Sequence, residues 1–108
     1  MLKGLYKVEF ETPRQKAVGV IFAENGRLHG GSSAFAYIGT YEVQGDTITG
    51  AVISKRHTKD SGLPSVFGLD EVRVNFQGSS IGDFAQFEGT AAEAPSLGFK
   101  AVLTRISA

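Results

Sequence analysis

Two histidines, His29 and His57, are the side chains best placed by type to move a proton or bind a metal near neutral pH. His29 lies between Leu28 and Gly30 in a short strand-like run, on the face opposite Leu28. His57 sits within Lys55-Arg56-His57-Thr58-Lys59-Asp60. Neither has an acidic or histidine neighbour two residues away, the spacing that sets two ligands on one face of a strand. Asp60 would meet His57 only inside a loop. Both histidines therefore read as solvated side chains, with no constellation around them. Lys55, Arg56, His57 and Lys59 form a basic cluster that suits phosphate by charge, but adjacent strand residues point to opposite faces. That cluster reads as a solvated strand end.

Nucleophiles fare no better. The pairs Ser32-Ser33 and Ser79-Ser80 fall in expected turns, where hydroxyls cap backbone groups, and no G-x-S-x-G elbow surrounds either. The chain has no cysteine, which removes disulfides, thiolate chemistry and zinc ribbons. Neither a P-loop nor a G-x-G-x-x-G fingerprint occurs. No catalytic residue, metal site or cofactor is expected.

Charge narrows the partners. Eleven lysines and arginines balance eleven aspartates and glutamates, so no net field draws nucleic acid or anionic lipid. Glu42, Asp46, Asp70 and Glu71 stand at strand ends or turns as a scattered acidic surface. The longest unbroken apolar or glycine run, residues 17–23, covers seven residues, against about 20 for a membrane-spanning helix. The first residues carry lysine where a signal peptide would carry its apolar core. A soluble cytoplasmic protein is expected, with no nucleic-acid or membrane partner.

The elements that hold these residues follow from period-two patterning. The segment Gly30-Gly31-Ser32-Ser33-Ala34-Phe35-Ala36-Tyr37-Ile38-Gly39-Thr40-Tyr41 is a glycine-rich turn feeding a strand. Phe35, Tyr37 and Tyr41 share one face of it, and Gly39 between the tyrosines marks a bend or a close approach by another backbone. This strand runs to Val43. Before it, strands are expected over residues 4–12, 17–24 and 27–31. After it they are expected over 47–55, over 71–77, over 84–92 and over 97–106. Pro13 stops the first, Asn25-Gly26 and Gln44-Gly45-Asp46 make tight turns, residues 56–65 form the only long loop, a turn covers 78–83, and Pro95 lies in the last turn. In the second strand Val18, Val20 and Phe22 form one row, while Ala17, Gly19 and Ile21 form the other. With both rows apolar or small, cover on both sides is expected, the outer one from a neighbouring subunit.

Eight strands joined by short turns, with no helical periodicity, read as an all-β protein. A single eight-stranded antiparallel up-and-down barrel over residues 1–108 is expected, because closure removes exposed edges. Its interior would be lined by Tyr6, Val8, Phe10, Val20, Phe22, Tyr37, Tyr41, Val74, Phe76 and Phe99. A barrel of this size holds either side chains alone or one small ligand.

Three segments carry a family resemblance: Gly4-Leu5-Tyr6, Gly30-Gly31 followed by Phe35-Ala36-Tyr37-Ile38-Gly39-Thr40-Tyr41, and Phe99-Lys100-Ala101-Val102-Leu103-Thr104-Arg105. Together they resemble the GrlR-like family, small bacterial proteins named for a negative regulator of type III secretion. The resemblance spans almost the whole chain through structural motifs. It implies a lipocalin-like (calycin-type) barrel, a homodimer, and repression by sequestering a transcriptional activator without enzymatic activity. In that regulator an acidic Glu-Asp-Glu-Asp run after the corresponding strand is associated with the activator. Here that turn reads Glu42-Val43-Gln44-Gly45-Asp46, leaving Glu42 and Asp46 as the implied partner-binding residues. A non-enzymatic regulatory binding protein is thus the expected function, and a carrier or sensor for a small apolar ligand held among the aromatic residues is the alternative.

Overall fold

The computed structural model describes residues 2–59 and 70–108. Eight strands follow in order: β1 Gly4–Glu11, β2 Lys16–Glu24, β3 Arg27–Gly31, β4 Phe35–Gln44, β5 Thr47–Arg56, β6 Glu71–Ile81, β7 Phe84–Ala91 and β8 Ala94–Ser107. Each pairs antiparallel with the next, and β8 closes onto β1. The protein is the expected closed, all-antiparallel barrel.

Three tight hairpins at one end set the register. Asn25 and Gly26 both take positive φ, as a type I′ turn requires, while Gly45 and Gly82 alone carry positive φ in theirs. The opposite end carries the connections β1–β2, β3–β4, β5–β6 and β7–β8. Asp60, which could meet His57 only within the loop, and most of the long loop 56–65 lie outside the described residues.

Two boundaries differ from expectation. Residues 78–81, including Ser79 and Ser80, continue β6 and pair with Phe87 back to Phe84, so the turn shrinks to Gly82-Asp83. Pro95 belongs to the start of β8, where pairing jumps from Thr90↔Gly98 to Ala91↔Ala94. A bulged strand end tolerates proline because the ladder there does not use its missing N–H.

Inside, the buried set includes Tyr6, Val8, Ile21, Leu28, Tyr37, Tyr41, Ile48, Val74, Phe87, Phe99 and Leu103. Phe10 and Phe76 are half-buried against it. The expected inward placement of Val20 and Phe22 is wrong: both are exposed on the outer surface with Val18. The register gives the reason. Ala17, Gly19 and Ile21 lie opposite Phe10, Val8 and Tyr6, and paired residues in a sheet share a face. The small row must face inward because the Tyr37 ring crosses it; a methyl group on Gly19 would sit 2.9 Å from Tyr37 Cε2.

Candidate functional site: a one-ended apolar cavity

Three tyrosines face the barrel interior, and two of them are spent on closing one end. Tyr41 donates its hydroxyl proton to the Leu2 carbonyl at 2.8 Å. The Tyr6 hydroxyl accepts from the Lys3 N–H at 3.1 Å and from Arg105 Nη2 at 3.2 Å, and donates to the Lys3 carbonyl at 3.2 Å. One donor and two acceptors exhaust a phenol. Leu2, almost fully buried, is thereby pinned across the end that carries the tight hairpins.

Above this plug lies a cavity of about 360 Å³. Leu2 contributes to its lining at the plugged end, and Val8, Phe10, Val52, Val74, Phe76, Phe87, Phe99 and Leu103 contribute to its walls. Phe10 packs edge-on against Tyr37 with centroids 5.1 Å apart, and Phe76 packs likewise against Phe87 at 5.1 Å. The rings brace one another around the space and do not fill it. A volume of this order is at the small end of ligand pockets.

The opening follows from a mismatch in strand length. β3 pairs only with residues 20–24 of β2, leaving residues 16–19 without a strand partner on that side among the described residues. Lys16, Ala17 and Val18 line the cavity there, facing Ser32, Ser33 and Ala34 of the β3–β4 connection. The Ser32 hydroxyl oxygen organises that connection by accepting from the Phe35 N–H at 3.2 Å and the Ala34 N–H at 3.4 Å. His57 ties it to the end of β5: its backbone N–H donates to the Ala34 carbonyl at 2.8 Å, and its Nε2 lies 3.1 Å from the Ser32 carbonyl. The Arg56 guanidinium stacks over Phe35 at 4.5 Å and pairs with Asp70 at 2.7 Å. These residues, read from sequence as a solvated basic strand end, brace the rim.

Polar groups on the wall are few. Tyr37 is buried, and burial pushes its phenol above the ordinary value, partly offset by a hydrogen bond with the Ser32 side chain. Ser54, directly opposite Tyr37 in the β4–β5 register, also lines the cavity and has no side-chain partner among the described residues. Among the described residues the one charged lining residue is Lys16, whose exposed ammonium lies 3.9 Å from Glu11.

Of the aromatic and aliphatic residues expected to form a ligand site, Val8, Phe10, Tyr37, Val74, Phe76 and Phe99 line this cavity. Tyr6 and Tyr41 close the barrel end and are not among its lining residues, and Phe22 points outward. Ile21, Ser54 and Phe87 also line it and escaped the sequence reading, although Ser54 continues the inward row of Ile48, Gly50 and Val52. Glu42 and Asp46 are exposed at the β4–β5 hairpin, on the end away from the opening. His29 is exposed on the outer face. Among the described residues no group of three or more His, Cys, Asp or Glu side chains could hold a metal, and no helix is long and apolar enough to cross a membrane.

The fold and this cavity define the class: an antiparallel eight-stranded β-barrel, plugged at one end, with an apolar pocket that opens toward the other among the described residues. Searches against family models and curated proteins match nothing to the chain.

Proposed function

We propose that this chain is a non-enzymatic binding protein that takes a small apolar molecule inside its barrel. The observation that carries the reading is the 360 Å³ cavity walled by braced aromatic rings. Space of that size lined by apolar side chains forfeits dispersion contacts unless something occupies it. The polar groups on the described wall are hydroxyls, one amide and one ammonium, with no carboxylate, imidazole or thiol among them. Native mass spectrometry on protein captured gently from cells tests this. The expected result is an added mass of roughly a few hundred daltons per barrel, in keeping with pockets of this size. A bare barrel that also leaves the fluorescence of N-phenyl-1-naphthylamine unchanged would overturn it.

A second reading rests on the outer surface and on the resemblance to GrlR-like regulators. Val18, Val20 and Phe22 are 57%, 43% and 39% exposed on β2, and Val102 and Ile106 are exposed on β8. Between them on β1 lies the Lys7–Glu9 ion pair, 3.3 Å across. A two-fold dimer needs a self-complementary patch. Here an apolar strip surrounds one cation and one anion that can exchange partners with a second copy. This reading makes the protein a homodimer, with Glu42 and Asp46 left exposed for a regulatory partner such as a transcriptional activator. Sedimentation tests it. The wild type should run as a dimer and Val20→Lys as a folded monomer, whereas a monomeric wild type at high concentration removes this reading and leaves the first intact.

A further inference from the structure

The Tyr37 hydroxyl belongs to a buried side chain that lines the cavity. Its wall neighbour Ser32 already accepts at Oγ from the Phe35 and Ala34 N–H groups, so that oxygen has little left to offer the Tyr37 proton. Among the described residues no hydrogen bond takes up the Tyr37 proton.

A buried donor without an acceptor is costly, and water or a ligand must supply one. Ser54, across the β4–β5 ladder from Tyr37, adds a second hydroxyl facing the same space. Among the described residues no charged side chain lines the interior except Lys16 at the rim, so a buried anion or cation would find no counter-charge among them. Rings also stand near Tyr37 on the wall, Phe10 in edge contact with it and Phe99 5.9 Å beyond Phe10.

We propose that the ligand is a neutral, mainly apolar molecule, flat enough to lie among these rings, with a carbonyl-type hydrogen-bond acceptor that receives the Tyr37 hydroxyl. At the packing density of a protein interior, the cavity takes roughly fifteen non-hydrogen atoms. The inference rests on the reading of the barrel as a ligand-binding protein and adds the chemistry that selects the ligand.

Two neutral fluorescent naphthalene probes of similar size separate the two ideas. Prodan carries a ketone; N-phenyl-1-naphthylamine carries none. Titration of the wild type and of Tyr37→Phe with each probe gives four affinities. Both probes should bind the wild type, and bound Prodan should show the red-shifted emission of a hydrogen-bonded ketone. Tyr37→Phe should weaken Prodan about three- to tenfold, the ratio set by one ordinary hydrogen bond. It should leave N-phenyl-1-naphthylamine unchanged within about twofold, a result that also reports an intact cavity. If Prodan binds both proteins equally, the Tyr37 donor is refuted while the cavity reading stands. If neither probe binds the wild type, both fail. Should Tyr37→Phe not fold, the wild-type emission decides: a spectrum matching that in dry apolar solvent overturns the proposal.

Discussion

Gly39 offers the sharpest test of how the barrel closes. It lies on the inward face of β4 between Tyr37 and Tyr41, directly opposite Val52 of β5. A methyl group added there would lie well inside van der Waals contact distance of the Ala51 carbonyl oxygen and 2.9 Å from Val52 Cα. Both obstacles are backbone, so no side chain can swing away. The strands would have to separate by most of an ångström in the middle of a continuous ladder. Overpacking a rigid site costs about 1–3 kcal/mol, and a backbone obstacle puts Gly39→Ala near the top, at about 3 kcal/mol. For a chain of 108 residues the entropy of unfolding converts each kcal/mol into about 4 °C, so Tm should fall by about 12 °C. Gly39→Val should be worse still. Gly98→Ala is the control, since nothing lies within 4 Å of the added carbon and its expected shift is within about 2 °C. Thermal unfolding followed by far-ultraviolet circular dichroism measures all three. If Gly39→Ala keeps the parent's Tm, the close approach of β4 and β5 is not what shapes the barrel.

Two further outcomes follow from the tyrosines. Tyr41→Phe removes the hydroxyl that satisfies the buried Leu2 carbonyl, which costs about 1–3 kcal/mol and should lower Tm by about 4–12 °C; an unchanged Tm in thermal denaturation would show that the plug is not held by this bond. Tyr37 has its phenol raised above 10.0 by burial, so as pH rises the unfolded chain loses that proton first. Its contribution to stability is complete below about pH 10 and is lost as pH climbs through the higher folded value. Urea unfolding at increasing alkaline pH should therefore show the wild type losing stability faster than Tyr37→Phe, and parallel declines would refute a buried phenol.

Much of the barrel was legible because its signals are local. Alternation in Tyr6, Val8 and Phe10, or in Val72, Val74 and Phe76, names an inward row without reference to any other strand. Asn25-Gly26 demands positive φ wherever it occurs, and takes it here. The five-residue β3 was also readable, bounded by that turn and by the Gly30-Gly31 segment. Its consequence was not: the opening arises because β3 is shorter than the part of β2 it would need to cover, and that comparison needs the register. Likewise no local pattern says that Tyr6 and Tyr41 reach Leu2 and Lys3 at the barrel's end, since the Tyr41 bond joins residues 39 apart in the chain.

The inversion of β2 shows where pattern reading must give way to packing. Val18, Val20 and Phe22 form the more apolar row, and an apolar row is ordinarily the buried one. Burial, however, is decided by volume as well as by transfer free energy. With Tyr37 reaching across the barrel to β2, Gly19 has to stand opposite its ring, and a single glycine fixes the facing of the whole strand because the side-chain period is two. The large residues are then forced outward, where three of them in a row remain exposed. Tyr37 therefore acts on both faces at once. Inside, its ring and hydroxyl shape the pocket; outside, the facing it imposes on β2 creates the apolar strip on which a second copy would dock. A carrier and a dimeric regulator are for that reason compatible uses of one architecture, and replacing Val20 and Tyr37 separately distinguishes which surface the protein uses.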